Sequence, residues 1–242
     1  MSSDNKTSIG WVGLGAMGQA HVANLLANDD FNLVVWNRDG SKCASAVAAG
    51  ALQAASAREV VERSAITFVM LSSPAAAMEV YTHEEGGILA GLTSGKGVVD
   101  CASLDAETMR KLGALVGARG GRFLAAPVAG HSGMAVAATC QSICAGDESL
   151  FRDATGALQK LSKNVVWLGD DVGAASNTKL VINVGWLVRP KNKCATPCFD
   201  CCYNIWNRPL LPRNAVYLLT SSNQPTNQPT NAHASLTNAS AT

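Results

Sequence analysis

The chain has 242 residues, with 19 Lys and Arg against 18 Asp and Glu, and is 48% hydrophobic and 15% charged. That composition can bury a sizeable core and excludes a chain disordered throughout, while a net charge of +1 gives no electrostatic basis for nucleic acid or an acidic membrane as partner. No apolar run approaches the about 18 residues a membrane span needs, and Met1 to Ser8 reads as neither signal nor transit peptide, so a cytoplasmic location is expected.

From there the chain alternates short β-branched runs with Ala-rich stretches of helical period, the pattern of βαβ units on a parallel sheet. Ile9–Val12 reads as a first strand and 16–28 as a helix with Val22, Leu25 and Leu26 on one face. Leu33–Trp36 is a second strand, after which Ser41 is placed to cap the next helix. Thr67–Leu71 and Val98–Asp100 follow as strands, and Asp105 with Thr108 opens a helix through Leu115. Phe123–Val128, Ser142–Ala145 and Val165–Leu168 are further strands, Glu148–Leu161 is a helix between the last two, and Gly173–Val188 begins a final helix. The predicted fold class is α/β, a Rossmann-like, doubly wound and mostly parallel sheet.

Near residue 185 the composition changes. Residues 1–184 hold 14 basic and 17 acidic side chains, whereas 185–242 hold five basic residues against Asp200 alone. Asn-Gln-Pro-Thr occurs at 223–226 and again at 227–230, nothing apolar recurs with a helix or strand period over 203–242, and 189–242 is expected to be a disordered, low-complexity tail.

Gly13-Leu14-Gly15-Ala16-Met17-Gly18 fits G-x-G-x-x-G between the first strand and the first helix. The first glycine permits a tight turn, the second lets the backbone approach a pyrophosphate, and the third lets helix and strand pack closely. The helix N-terminus adds free N–H groups and a positive dipole end. Placed after the first strand of an alternating β/α chain, the motif predicts dinucleotide binding. An NAD site wants a carboxylate at the end of the second strand, to take the ribose 2′-OH. Asn37 stands there instead, followed by Arg38, whose guanidinium suits a 2′-phosphate; Lys42 adds charge and Asp39 opposes it. NADP(H) is the expected cofactor and NAD(H) the alternative.

No metal site is expected. Cys198-x-x-Cys201 lacks a second ligand pair, and Cys43, Cys101, Cys140 and Cys144 read as reduced core thiols. His21 and His83 read as surface or satisfied residues, and His131 as part of an exposed Gly-rich turn.

Several motifs in order resemble the β-hydroxyacid dehydrogenase family, related to 3-hydroxyisobutyrate dehydrogenase, and within it the glyoxylate/succinic semialdehyde reductases. They are the Gly13–Gly18 loop, Val35-Trp36-Asn37-Arg38, Met70-Leu71-Ser72-Ser73-Pro74, the stretches 99–108 and 121–128, and Lys179-Leu180-Val181-Ile182-Asn183. The resemblance implies nicotinamide-dependent reduction of a small aldehyde or 2-oxo acid, with oxidation of a 3-hydroxy acid as another family reaction. It makes Lys179 the proton donor and Asn183, at i+4 on the same helix face, the residue that orients Lys179 or the substrate. Leu71 and Ser72 would line the cofactor. Ser103, where the family usually has Thr, would stand near nicotinamide and substrate. Ala129 and Gly130 fall on the family's substrate turn, with Ala129 in place of a serine whose hydroxyl binds substrate and His131 as the alternative donor there.

By the same resemblance, 8–178 is the NADP-binding domain and 179–188 starts an interdomain helix leading to an all-helical domain that supports homo-oligomers. Pro190 breaks that helix here and no helical pattern follows. A catalytically impaired NADP(H)-binding fragment or pseudoenzyme, monomeric and lacking that domain, is therefore the alternative expectation.

Overall fold

The structure, a computed structural model, describes residues 6–28, 30–187 and 217–220. Strand β1 (Thr7–Val12) runs into the glycine loop and α1 (Ala16–Leu26), and β2 (Phe31–Trp36) into a 3-10 turn (Gly40–Cys43) and the short α2 (Ala44–Ala48). After β3 (Leu52–Gln53) come α3 (Ala57–Arg63), β4 (Ile66–Val69), α4 (Pro74–Thr82) and α5 (Ile88–Gly91). The chain continues through β5 (Gly97–Asp100), α6 (Ala106–Ala118), β6 (Arg122–Ala125), β7 (Val128–Ala129) and α7 (Ser132–Val136). β8 (Cys140–Gly146), α8 (Glu148–Leu161), β9 (Ser162–Trp167), α9 (Val172–Leu187) and β10 (Tyr217–Thr220) complete the described elements.

The strands lie in the order β3-β2-β1-β4-β5-β6 and are parallel throughout that run. β8 joins antiparallel to β6, β9 parallel to β8, and β10 antiparallel at the edge, with β7 paired to β8. The Rossmann-like, mostly parallel α/β fold is therefore present. Its strand order reverses between β1 and β4, which opens a crevice beyond their C-terminal ends where α/β sheets bind ligands. Alternation along β1 sends Ile9 and Trp11 into one core with Leu25 of α1 and Leu158 of α8. Val12 goes into the other, with Val60 of α3, Tyr81 of α4 and Leu112 of α6.

Helix starts follow side-chain chemistry. Ser56, Ser73, Asp105 and Asp147 each accept a backbone N–H from the first turn of α3, α4, α6 and α8, and Pro74 follows Ser73 at the first helical position.

Four readings of the sequence need correction. Ser41 caps nothing: Asp39 accepts from the Ser41 N–H and hydroxyl, and α2 starts without a side-chain cap. The strand expected over Thr67–Leu71 ends at Val69. The strand expected over Phe123–Val128 divides into β6 and β7 at Ala126-Pro127, where proline has no N–H to give the ladder. Residues 217–220, assigned no fold, pair with β9 from Asn164 to Trp167. Apart from them, the tail 189–242, with Cys194, Cys198, Cys201 and Cys202, lies outside the described residues.

Candidate functional site

The glycine loop follows β1 at the crevice. Gly13 turns with φ +101°, and a Cβ there would overlap the Met70 carbonyl oxygen. A Cβ on Gly18 would overlap the Gly13 carbonyl oxygen, so the close crossing of α1 over β1 needs glycine at both positions. Gly15 differs: its φ of −69° suits any residue, and nothing lies within 4 Å of a Cβ built there. Gly15 and Ala16 are exposed, and α1 begins with no side-chain cap and no acidic residue in its first turn. The first amides of α1 thus point, uncapped, at open space in front of the sheet. Leu14 is buried beneath the loop and Met17 packs partly against the core.

Asn37 and Arg38 leave β2 beside this loop, and their roles diverge. The half-buried Asn37 accepts the Leu14 N–H at 2.9 Å through Oδ1 and donates Nδ2 to the Asp39 carbonyl at 3.0 Å, so its amide fastens the loop to β2. Arg38 stands in solvent and reaches Glu79 of α4 at 3.4 Å. Asp39, expected to oppose a phosphate, is turned into its own loop, where hydrogen bonds from Ser41 hold its carboxyl below the usual range.

On the other flank of the crevice, Leu71 is half-buried and Ser72 exposed, just past β4. Ser103 is exposed between buried Ala102 and Leu104, past β5. Segments 13–18, 37–38, 71–72 and 103 therefore all leave the C-terminal ends of the parallel strands.

Lys179 is 6% exposed on α9, and its Nζ donates to Asn183 Oδ1 at 2.6 Å. Burial lowers its pKa from the usual lysine value. Facing it electrostatically is Cys140 at the start of β8, whose buried thiol is pushed up to about 11 by desolvation. Cys140 Sγ in turn would lie 2.6 Å from a Cβ on Gly130. Cys140 thus packs under the Gly130 turn and remains, as expected, a buried thiol of the core. Ala129 is buried in β7. The start of α9 is held by Arg110 of α6, whose Nε and Nη2 grip Asp171 at 3.0 and 2.8 Å, while Asp171 also accepts the Gly173 N–H.

His21, expected to be a surface or satisfied residue, is neither. It is fully buried on α1 against Trp11, with ring centroids 5.9 Å apart, and neither ring nitrogen has a hydrogen-bond partner. The Trp11 indole donates to the Gly13 carbonyl at 2.9 Å, so this aromatic layer supports the loop from below. His83 and His131 are exposed. Cys43, Cys101, Cys140 and Cys144 are buried free thiols. Among the described residues no helix is long and apolar enough to cross a membrane, and no three His, Cys, Asp or Glu side chains cluster to hold a metal.

Comparison with known proteins matches residues 8–169 to the NAD binding domain of 6-phosphogluconate dehydrogenase. Glyoxylate/succinic semialdehyde reductase 1 of Arabidopsis thaliana is 39% identical over 176 residues, which is 73% of this chain and 60% of that protein. Among solved structures, Psf3 in complex with NADP+ and 2-OPP superposes with a TM-score of 0.69 at 27% identity, covering 73% of this chain and 62% of that one. A 3-hydroxyisobutyrate dehydrogenase of Mycobacterium tuberculosis with L-serine gives 0.67 at 26% identity, covering 74% and 60%. The chain thus spans about three fifths of the length of each of these relatives.

Proposed function

The chain belongs to the family of the NAD-binding domain of 6-phosphogluconate dehydrogenase, and from that premise we propose that it binds NADP(H) and reduces a small aldehyde or 2-oxo acid of the glyoxylate or succinic semialdehyde type. The observation that carries the proposal is the uncapped start of α1 opening on free space at Gly15, above a loop that packing forces to be glycine at 13 and 18. A dinucleotide fits these residues: the amides of Ala16, Met17 and Gly18 would meet the pyrophosphate, and Arg38 the 2′-phosphate. Leu71, Ser72 and Ser103 would line the nicotinamide half. In this reading 8–178 is the cofactor domain of a cytoplasmic enzyme, and α9 carries Lys179 toward a substrate domain.

The reduced nicotinamide, when bound, supplies a hydride. The chain's part is the proton. Lys179 Nζ, oriented by Asn183 Oδ1, donates a hydrogen bond to the carbonyl oxygen and gives up a proton as charge grows there. Burial, which lowers the lysine pKa, makes that donation easier than from an exposed ammonium. Ser103 and the Gly130 turn would orient the substrate.

A second reading, a cofactor-binding module without turnover, is favoured by Ala129, a buried methyl at the position where the resemblance puts a substrate-binding serine. NADPH oxidation in the presence of glyoxylate or succinic semialdehyde separates the two. Turnover that falls about 10²–10⁴-fold in Lys179→Ala supports the reductase. NADPH binding without turnover of either aldehyde supports the module, and turnover unchanged by Lys179→Ala refutes the assigned proton donor.

A further inference from the structure

Asp100, the last residue of β5, carries a fully buried carboxyl group. Its Oδ2 accepts the phenolic hydroxyl of Tyr81, itself fully buried in the last turn of α4, at 2.8 Å, and its Oδ1 accepts the Ala102 N–H at 2.9 Å. The backbone at this point is tied in as well: the Ala126 N–H donates to the Asp100 carbonyl at 2.7 Å, and the Cys101 N–H to the Val69 carbonyl at 2.8 Å. Among the described residues no Lys, Arg or His pairs with the carboxyl. The titratable groups around it are Tyr81 from α4, the adjoining Cys101 and, beyond that, Cys144 of β8. A buried carboxyl without a cation is costly where asparagine would fit the same space.

The carboxyl joins the two segments that flank the nicotinamide half of the crevice. Tyr81 belongs to the helix that begins just after Leu71 and Ser72. Ala102 precedes Ser103, whose exposed side chain stands between the buried anchors Ala102 and Leu104. We infer that Asp100 is a positioning residue: through Tyr81 and the Ala102 amide it fixes the segment that presents Ser103 to the nicotinamide side of the site. This rests on the cofactor reading proposed above. The charged carboxylate is the stronger acceptor for the Ala102 N–H, so losing the charge loosens that segment. Burial pushes the Asp100 carboxyl up to about 6, which brings the change into an accessible range.

The test uses the full chain, its Asp100→Asn variant and its Tyr81→Phe variant. Asparagine keeps an acceptor for the Ala102 N–H and can donate to Tyr81, so the segment stays folded but its anchor is neutral. Dissociation constants for NADPH, read by tryptophan fluorescence, are expected to be about tenfold weaker for Asp100→Asn than for wild type near pH 7.5, and equal near pH 5. Ionisation of the 2′-phosphate affects both proteins alike and drops out of the ratio. Without cofactor, the Ala102 amide resonance is expected to titrate with a midpoint of about 6 in wild type, to be flat in Asp100→Asn, and to shift to a higher midpoint in Tyr81→Phe, where a hydrogen bond favouring the charged form is gone. A constant affinity ratio across pH, or an Ala102 amide that does not titrate in wild type, overturns the positioning role while leaving cofactor binding intact. No NADPH binding at any pH overturns the cofactor reading and the role built upon it.

Discussion

Gly15 and Gly18 sit three residues apart in one loop, yet the same substitution at each should have opposite consequences. A Cβ on Gly15 meets nothing within 4 Å, and φ there is −69°. Gly15→Ala should therefore leave stability within about 1 kcal/mol of wild type, since reduced freedom of the unfolded chain roughly offsets a poorer N-cap. The new methyl occupies the space a pyrophosphate would use, so NADPH affinity should fall about tenfold or more. On Gly18 the methyl overlaps the Gly13 carbonyl, a backbone atom that cannot rotate aside. Overpacking of this kind costs about 1–3 kcal/mol or more, against about 1 kcal/mol gained in helix propensity. Gly18→Ala should thus lose about 1–2 kcal/mol and melt about 2–8 °C lower. Thermal melts with NADPH titrations on both variants decide the matter. Wild-type affinity in Gly15→Ala, or a wild-type melting temperature in Gly18→Ala, would refute the division of labour between the two glycines.

Three further outcomes are expected. Ala138 adopts φ +52° just after α7, where the Thr139 N–H returns to the Met134 carbonyl; Ala138→Gly should relieve that strain and raise the melting temperature by about 1–4 °C, and a lower one contradicts this. Ala129→Ser should restore a substrate hydrogen bond and tighten binding of a carboxylate-bearing aldehyde about ten- to a hundredfold, measured as KM with NADPH saturating; an unchanged KM removes the turn from the substrate site. The third concerns pH. Burial pushes His21 down to about 4, so the unfolded chain binds its proton first and stability falls as pH drops from 6.5 through 4. Asp100, pushed up to about 6, acts in the opposite sense, its stability contribution falling as pH rises from 3.8 through 6. Each is worth about 3 kcal/mol, so the two nearly cancel between pH 4 and 6. His21→Met should uncover the Asp100 slope, a protein whose melting temperature rises on acidification from about pH 6.5 to 5, above the range where the depressed carboxyls of Glu59, Asp105, Asp147 and Asp171 take up protons and stability falls again; a melting temperature falling between about pH 6.5 and 5 contradicts the assignment.

The long elements were legible because their signals are local. Asp105 with Thr108 starts α6, and Glu148–Leu161 is amphipathic over its whole length, so periodicity alone placed both. Helices of a few residues, such as α5 and α7, offer too few turns for a period to show. The glycine loop was readable for the same reason as the long elements. Asn37 is legible in the sequence as the neutral residue at the end of the second strand, but only the fold reveals that its amide accepts the Leu14 N–H. His21 was misjudged because its polar identity outweighed a position beside Val22 and Leu25 on the inner face of α1. The Tyr81–Asp100 hydrogen bond leaves no sequence trace, since it joins a helix and a strand that only the fold brings together.

Tryptophan fluorescence during titration with NADPH, and then NADH, reports on the glycine loop itself, because the Trp11 indole is bonded to the Gly13 carbonyl. An NADP(H) site at this loop binds NADPH saturably and NADH more weakly, and loses that preference in Arg38→Ala. Binding of neither nucleotide, or a preference that survives Arg38→Ala, contradicts it.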